Sequence, residues 1–256
     1  RKDVWMNKNR FIIVVPFYNA SRWIGKSIKS IMLQNYDNFS CIIADDYSTD
    51  NSYQMCKKIV EGDDRFTLIK TKKNLGPLGN AYEAATIHNK ERDIENIIVI
   101  LDGDDFFSSE NTLSILNEHY NQNKCWMTYG SYINLSNRQV GKFSSKVPEL
   151  VVKNNLYRQS PWLTSHLRSY KFGLLKNVQK SDIINKDGEY YKAAGDLAIM
   201  FPLLEMSGER AHFIKDVLYI WNDLNELNEH KDKRQLQISC EQQIRSLEKY
   251  KKLEEL

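Results

Sequence analysis

Residues 98–107 read IVILDGDDFF. Four long or β-branched apolar residues run into three carboxylates within four positions, Asp102, Asp104 and Asp105. Like charges this close repel, and burying them is costly unless a positive group lies near. A bound cation answers both problems. A continuous apolar run is the mark of a strand covered on both faces. In open α/β sheets, ligands bind beyond the carboxyl ends of such strands. The stretch therefore predicts a fold and a site together.

Working outward, the same rhythm recurs. FIIVVPF (11–17), FSCIIADD (39–46), FTLIKT (66–71), NIIVILD (96–102) and WMTYGSYI (126–133) read as strands. Between them lie helical segments. SRWIGKSIKSIMLQ has Ser21 as its expected N-cap, SYQMCKKIVEG has Gly62 as its stop, and LGNAYEAATIHNK and SENTLSILNEHYNQN follow. Alternating strands and helices predict an α/β fold, a Rossmann-like, doubly wound, mostly parallel sheet. Residues 134–195 are irregular. GDLAIMFPLLEMSG (195–208) then reads as a helix containing Pro202, and AHFIKDVLYIW (211–221) as a strand. The expected organisation divides the chain into 1–133, 134–230 and 231–256, the last a C-terminal tail helix. That helix either caps the core or packs on a second copy.

Composition excludes several classes. Of 256 residues, 41% are hydrophobic and 27% charged, enough for a core and too mixed for a disordered chain. A net charge of +3 is too small to argue for nucleic acid, although it suits an anionic small substrate. The four cysteines form no CxxC pair and have no histidine at zinc spacing, so no disulfide framework is expected. No apolar run approaches the roughly 18–20 residues that span a bilayer. These features predict a soluble, cytoplasmic protein without a transmembrane segment.

Four strand ends carry polar clusters: PFYN (16–19), ADDYSTD (44–50), KTKKNLGPLGNA (70–81) and LDGDD (101–105). Together they describe one site, with carboxylates for a metal and a Lys/Gly/Asn loop for phosphate oxygens. Mg²⁺ or Mn²⁺ takes one or two carboxylates and completes its shell with phosphate and water. In an Asp-x-Asp pair both side chains face the same way, and the small Gly103 is expected to let a ligand approach closely.

VVPFYNASRWIGKSIKSIMLQNY, IIADDYSTDNS, NLGPLGNA and ILDGDDFF, in this order and spacing, resemble the nucleotide-binding half of a family 2 glycosyltransferase of the GT-A fold. GDLAIMFPLLE stands where that family has its catalytic base. The resemblance covers about residues 10–225. It implies inverting transfer of one sugar from a nucleoside diphosphate, usually UDP, to an acceptor hydroxyl on a glycan, protein or small molecule. It further implies that Pro16, Phe17 and Tyr18 line the base pocket and that Asp45 or Asp46 binds the uracil. Asn74, Gly79 and Gly103 would border the nucleotide. Asp102 would reach ribose or metal, and Asp104 would be the main metal ligand. Asp196 would be the general base. Trp162, His166, Arg168 and Trp221 would shape the acceptor and diphosphate side, and His230 would be a further metal ligand. Two positions depart from the family: Tyr47 stands where Gly is usual, and Gly195 where Glu is usual. The tail string QQIRS lacks the Trp of processive members.

Plainer readings exist for the same residues. Asp45, Asp46 and Asp50 also suit a strand-end turn and a helix cap, Asp196 a simple helix cap, and Asp105 a turn. His166, Arg168 and His230 read equally as surface, and Lys72 and Lys73 as a solvated loop. A non-catalytic nucleotide-sugar-binding domain is the alternative function, and a homo-oligomer is open.

Overall fold

The computed structural model describes residues 7–226 and 234–256. In chain order the elements are β1 (Phe11–Phe17), α1 (Ile24–Met32), β2 (Phe39–Asp45), α2 (Ser52–Ile59), β3 (Phe66–Lys70), α3 (Gly76–Glu83), β4 (Ile97–Ile100), β5 (Phe106–Phe107), α4 (Thr112–Asn123), β6 (Met127–Asn134), α5 (Glu149–Lys153), β7 (Arg168–Lys171), α6 (Phe172–Leu175), α7 (Gly195–Ser207), β8 (Ala211–Trp221) and α8 (Arg234–Ser246). The eight strands form one sheet in the order β3-β2-β1-β4-β7-β6-β8-β5.

The first four strands pair in parallel, as the alternating pattern predicts. Strand β1 shows why its sequence is apolar throughout. Ile12 and Val14 enter a cluster with Leu78 of α3, Leu174 of α6 and Phe201 of α7. Phe11, Ile13, Val15 and Phe17 enter another with Ile24, Ile28 and Ile31 of α1, Cys56 of α2, and Leu113, Leu116 and Tyr120 of α4. Period-two alternation thus buries both faces, each such side chain contributing roughly 1.5–3 kcal/mol.

Beyond β4 the sheet is mixed. β7 runs antiparallel to both β4 and β6, β8 is parallel to β6, and β5 closes the edge antiparallel to β8. β5 and β7 fall outside the predicted elements. β7 is the four-residue RSYK, whose strand state comes from hydrogen bonds to neighbours on both sides. Its placement matters, because it sets Arg168 directly beside Ile100 at the end of β4.

Local signals fare unevenly. Ser21 does not cap α1 through its side chain; the helix starts at Ile24, and the Ser21 amide donates to Asp50 Oδ2 at 3.1 Å. Asp50 also accepts from the amide of Ser52, the first residue of α2, at 2.9 Å. Gly62 adopts φ +81° and ends α2 as expected. Gly103 is needed for packing: a side chain there would meet Phe17 Cβ at 2.4 Å and the Pro16 carbonyl at 3.1 Å, so the missing side chain admits the end of β1. Gly79 is alike, since the space beside it is filled by the Tyr190 ring at 2.4 Å.

The tail helix covers Arg234–Ser246, and residues 247–256 continue without helix. The tail caps the core. Cys240 and Ile244 are buried, and the Tyr250 and Leu253 amides donate to Glu205 Oε2 and the Met206 carbonyl of α7, both at 3.0 Å.

Candidate active site

The carboxyl ends of β1, β2 and β4 are tied together by backbone. The Asp46 amide donates to the Phe17 carbonyl at 2.8 Å, and the Gly103 amide to the Pro16 carbonyl at 3.0 Å. This brings PFYN, ADDYSTD and LDGDD to one edge. Pro16 and Phe17 are buried, while the Tyr18 ring is half exposed.

Asp45 and Asp46 are buried and turn their carboxylates inward. Asp45 accepts from the Ser48 amide at 2.8 Å and pairs with Lys70 Nζ at 3.2 Å. Asp46 accepts from the amides of Leu75 and Gly76 at 2.7 and 2.8 Å, holding the NLGP loop against β2. Burial lifts the Asp46 carboxyl above its ordinary value against those amide bonds. Asn74 donates to the Asp46 carbonyl at 3.2 Å. Tyr47, between these acids and the helix, adopts φ +66° and is exposed. That conformation costs glycine nothing, which explains the usual glycine at this turn.

The three acids after β4 divide sharply. Asp105 is buried, with both oxygens taken: Tyr219 Oη donates to Oδ2 at 2.5 Å and the Asn222 amide to Oδ1 at 2.7 Å. Asp104 is half-buried and accepts from Asn225 Nδ2 at 2.7 Å. Burial, and then the charge of Asp102, raise its carboxyl above the ordinary range despite that bond. Asp102 Oδ2 lies 3.2 Å from Tyr219 Oη, 3.4 Å from His166 Nε2 and 3.6 Å from Arg168 Nη2. Burial opposes its charged form, but His166, the Arg168 cation and the Tyr219 hydroxyl outweigh it, lowering its pKa to about 2.

His166 and Arg168 are thus brought against Asp102. Arg168 Nη2 donates to His166 Nε2 at 2.8 Å, and the imidazole stacks on the Tyr219 ring at 4.4 Å and 10°. Burial and the neighbouring Arg168 lower the His166 pKa, which keeps the ring neutral. Burial works against the Arg168 cation too, yet Asp102 and Asp196 together hold it above its ordinary value. Its Nε, buried, has no hydrogen-bond partner among the described residues.

Asp196 lies in the first turn of α7, where the positive helix end favours a carboxylate. Its Oδ1 accepts from the Leu197 amide at 3.0 Å. Gly195 lets this turn sit on α3, since a side chain there would meet Leu78 Cβ at 2.7 Å. Trp221 joins through Tyr132, whose ring meets His166 at 5.7 Å and Trp221 at 6.1 Å. Trp162 packs edge-on against Phe201 at 5.8 Å and lines an apolar pocket of about 160 Å³ with Val147, Val151 and Leu163. His230 lies outside the described residues. Tyr219, Asn222 and Asn225 are the contributors that sequence reasoning missed; the polar end of LYIWND after a buried strand was their only signal.

Asp102 and Asp104 fit a divalent cation held jointly with phosphate. Their mutual repulsion is what a cation relieves, and Asp105 is excluded because both its oxygens are engaged. No group of three or more His, Cys, Asp or Glu poised for a metal occurs among the described residues, but a phosphate-bridged ion needs only one or two carboxylates. No helix among the described residues is long and apolar enough to cross a membrane.

Comparison with known proteins places this geometry in context. A chain from Haemophilus influenzae described as an uncharacterized glycosyltransferase is 35% identical over 127 residues, covering 50% of this chain and 48% of that one. The Escherichia coli UDP-Glc:alpha-D-GlcNAc-diphosphoundecaprenol beta-1,3-glucosyltransferase WfgD is 31% identical over 147 residues, covering 57% and 54%. The match thus spans about half the length of either relative. Among solved structures, S. aureus TarS 1-349 in complex with UDP-GlcNAc superposes with a TM-score of 0.64 at 20% identity, covering 84% of this chain and 58% of that one. That likeness establishes the GT-A fold. The model of the family described as Glycosyl transferase family 2 matches residues 12–179, and the chain belongs to that family.

Proposed function

We propose that the protein moves a single sugar from a nucleoside diphosphate, UDP foremost, to an acceptor hydroxyl, with inversion at the anomeric carbon. The observation that carries this reading is the convergence of Asp102, Asp104, His166 and Arg168 beyond β4, with Asp196 close enough to bias Arg168. The neighbours support it: TarS is described in complex with UDP-GlcNAc, and a mannosyltransferase from Pyrobaculum calidifontis, alike in fold, with GDP-Man and Mn²⁺.

In this reading Asp102 and Asp104 hold Mn²⁺ or Mg²⁺. The ion would supply positive charge to a departing diphosphate. Arg168 adds a fixed cation on the same side, in a site where burial strengthens its field. Asp196 keeps one oxygen on the Leu197 amide, which orients the carboxylate, and offers the other to the acceptor hydroxyl. It removes the proton as that oxygen attacks. Tyr18 and Tyr47, exposed at the ends of β1 and β2, offer aromatic faces to a base.

The test is a donor panel, UDP-Glc, UDP-Gal, UDP-GlcNAc and UDP-GalNAc with and without Mn²⁺, scored by released UDP. Release with one donor, strengthened by Mn²⁺, is expected. UDP binding in calorimetry without turnover on any donor and acceptor would favour a nucleotide-sugar-binding domain instead.

A further inference from the structure

Tyr219 is fully buried, yet it carries a hydroxyl in among charged side chains. That oxygen lies 2.5 Å from Asp105 Oδ2 and 3.2 Å from Asp102 Oδ2, and it takes the Asp102 amide at 3.4 Å. The ring of the same residue forms the floor under His166, parallel to it at 4.4 Å. Tyr219 itself cannot drift. It is paired in register with Phe107 on one side and Tyr132 on the other. Asp105, which fixes its hydroxyl, is in turn fixed by the Asn222 amide at 2.7 Å. For packing alone a phenylalanine would serve better, because a buried hydroxyl costs free energy unless it is used.

We propose that Tyr219 is a positioning residue for the donor: its hydroxyl gives its one proton to Asp105 and accepts the Asp102 amide, which sets Asp102, its ring sets His166, and Asp105 is its anchor rather than a cation ligand. The third acid of LDGDD thereby acquires a role. It stiffens the first from behind, as outer partners do at metal sites in general. The proposal rests on the donor reading above and adds to it a residue that touches no substrate.

Tyr219→Phe keeps the ring and removes the oxygen. Mn²⁺ binding in the presence of UDP, followed by electron paramagnetic resonance, is expected to weaken about 10–100-fold. Donor KM should rise less than kcat falls, and the melting temperature should stay near wild type. Tyr219→Leu, which also removes the floor under His166, should lose more. If Tyr219→Phe fails to fold, Asp105→Asn reads the same coupling, because it weakens the anchor while keeping its shape. Wild-type Mn²⁺ affinity in the variant would overturn the role of Tyr219 while leaving the donor reading intact. A wild-type protein that binds neither Mn²⁺ nor UDP would overturn both.

Discussion

Asp196→Asn is expected to lower kcat about 10²–10⁴-fold while leaving UDP affinity close to wild type. The reasons are local. Asn keeps an oxygen for the Leu197 amide, so the first turn of α7 survives. It loses the basicity that would accept the acceptor proton. The stability cost is small, since a charge at a helix start is worth about 0.3–1 kcal/mol. Arg168 also loses one of the two acids that stabilise it, but Asp102 stays at 3.6 Å. Transfer assays paired with UDP calorimetry separate the effects. Equal loss in both assays would mean that Asp196 shapes the donor site rather than acting on the acceptor.

The second large effect concerns folding. Glu205 of α7 receives Arg158 Nε and Nη2 at 2.7 and 3.0 Å, and both side chains are almost wholly buried. Arg158 Nη1 also donates to the Ile244 carbonyl of α8 at 2.7 Å. Glu205→Leu would strand a buried guanidinium and is expected to cost about 3–5 kcal/mol. Replacing both residues by Leu should cost much less, because the main penalty is the unpaired charge, not the lost attraction. Denaturant unfolding of the two single variants and the double variant gives the comparison. Equal losses in single and double variants would show that the pair chiefly ties α8 and the tail to α7.

How much of this was legible beforehand follows the physics of each segment. β1, β2 and β4 are strands that bury both faces, so their apolar runs announce them without help from the rest of the chain. The mixed half of the sheet did not announce itself. RSYK holds two basic residues in four positions and becomes a strand only because β4 and β6 flank it. The chemistry divides the same way. Asp102 and Asp104 stood out through spacing, and His166 and Arg168 only through the family resemblance. The roles of Asp105 and Tyr219 depend on residues 114 positions apart meeting across β5 and β8, which no local pattern encodes. The packing of the glycines was hidden for a related reason. Gly79 and Gly103 sit in ligand-like motifs, yet Tyr190 and Phe17, distant in sequence, occupy the space they leave.

The most direct measurement is a Mn²⁺ titration by calorimetry with UDP present, on wild type and Asp104→Ala. Saturable binding by the wild type that requires UDP, and that disappears in the variant, is the predicted result. Identical Mn²⁺ isotherms for the two proteins would contradict a cation held at the end of β4.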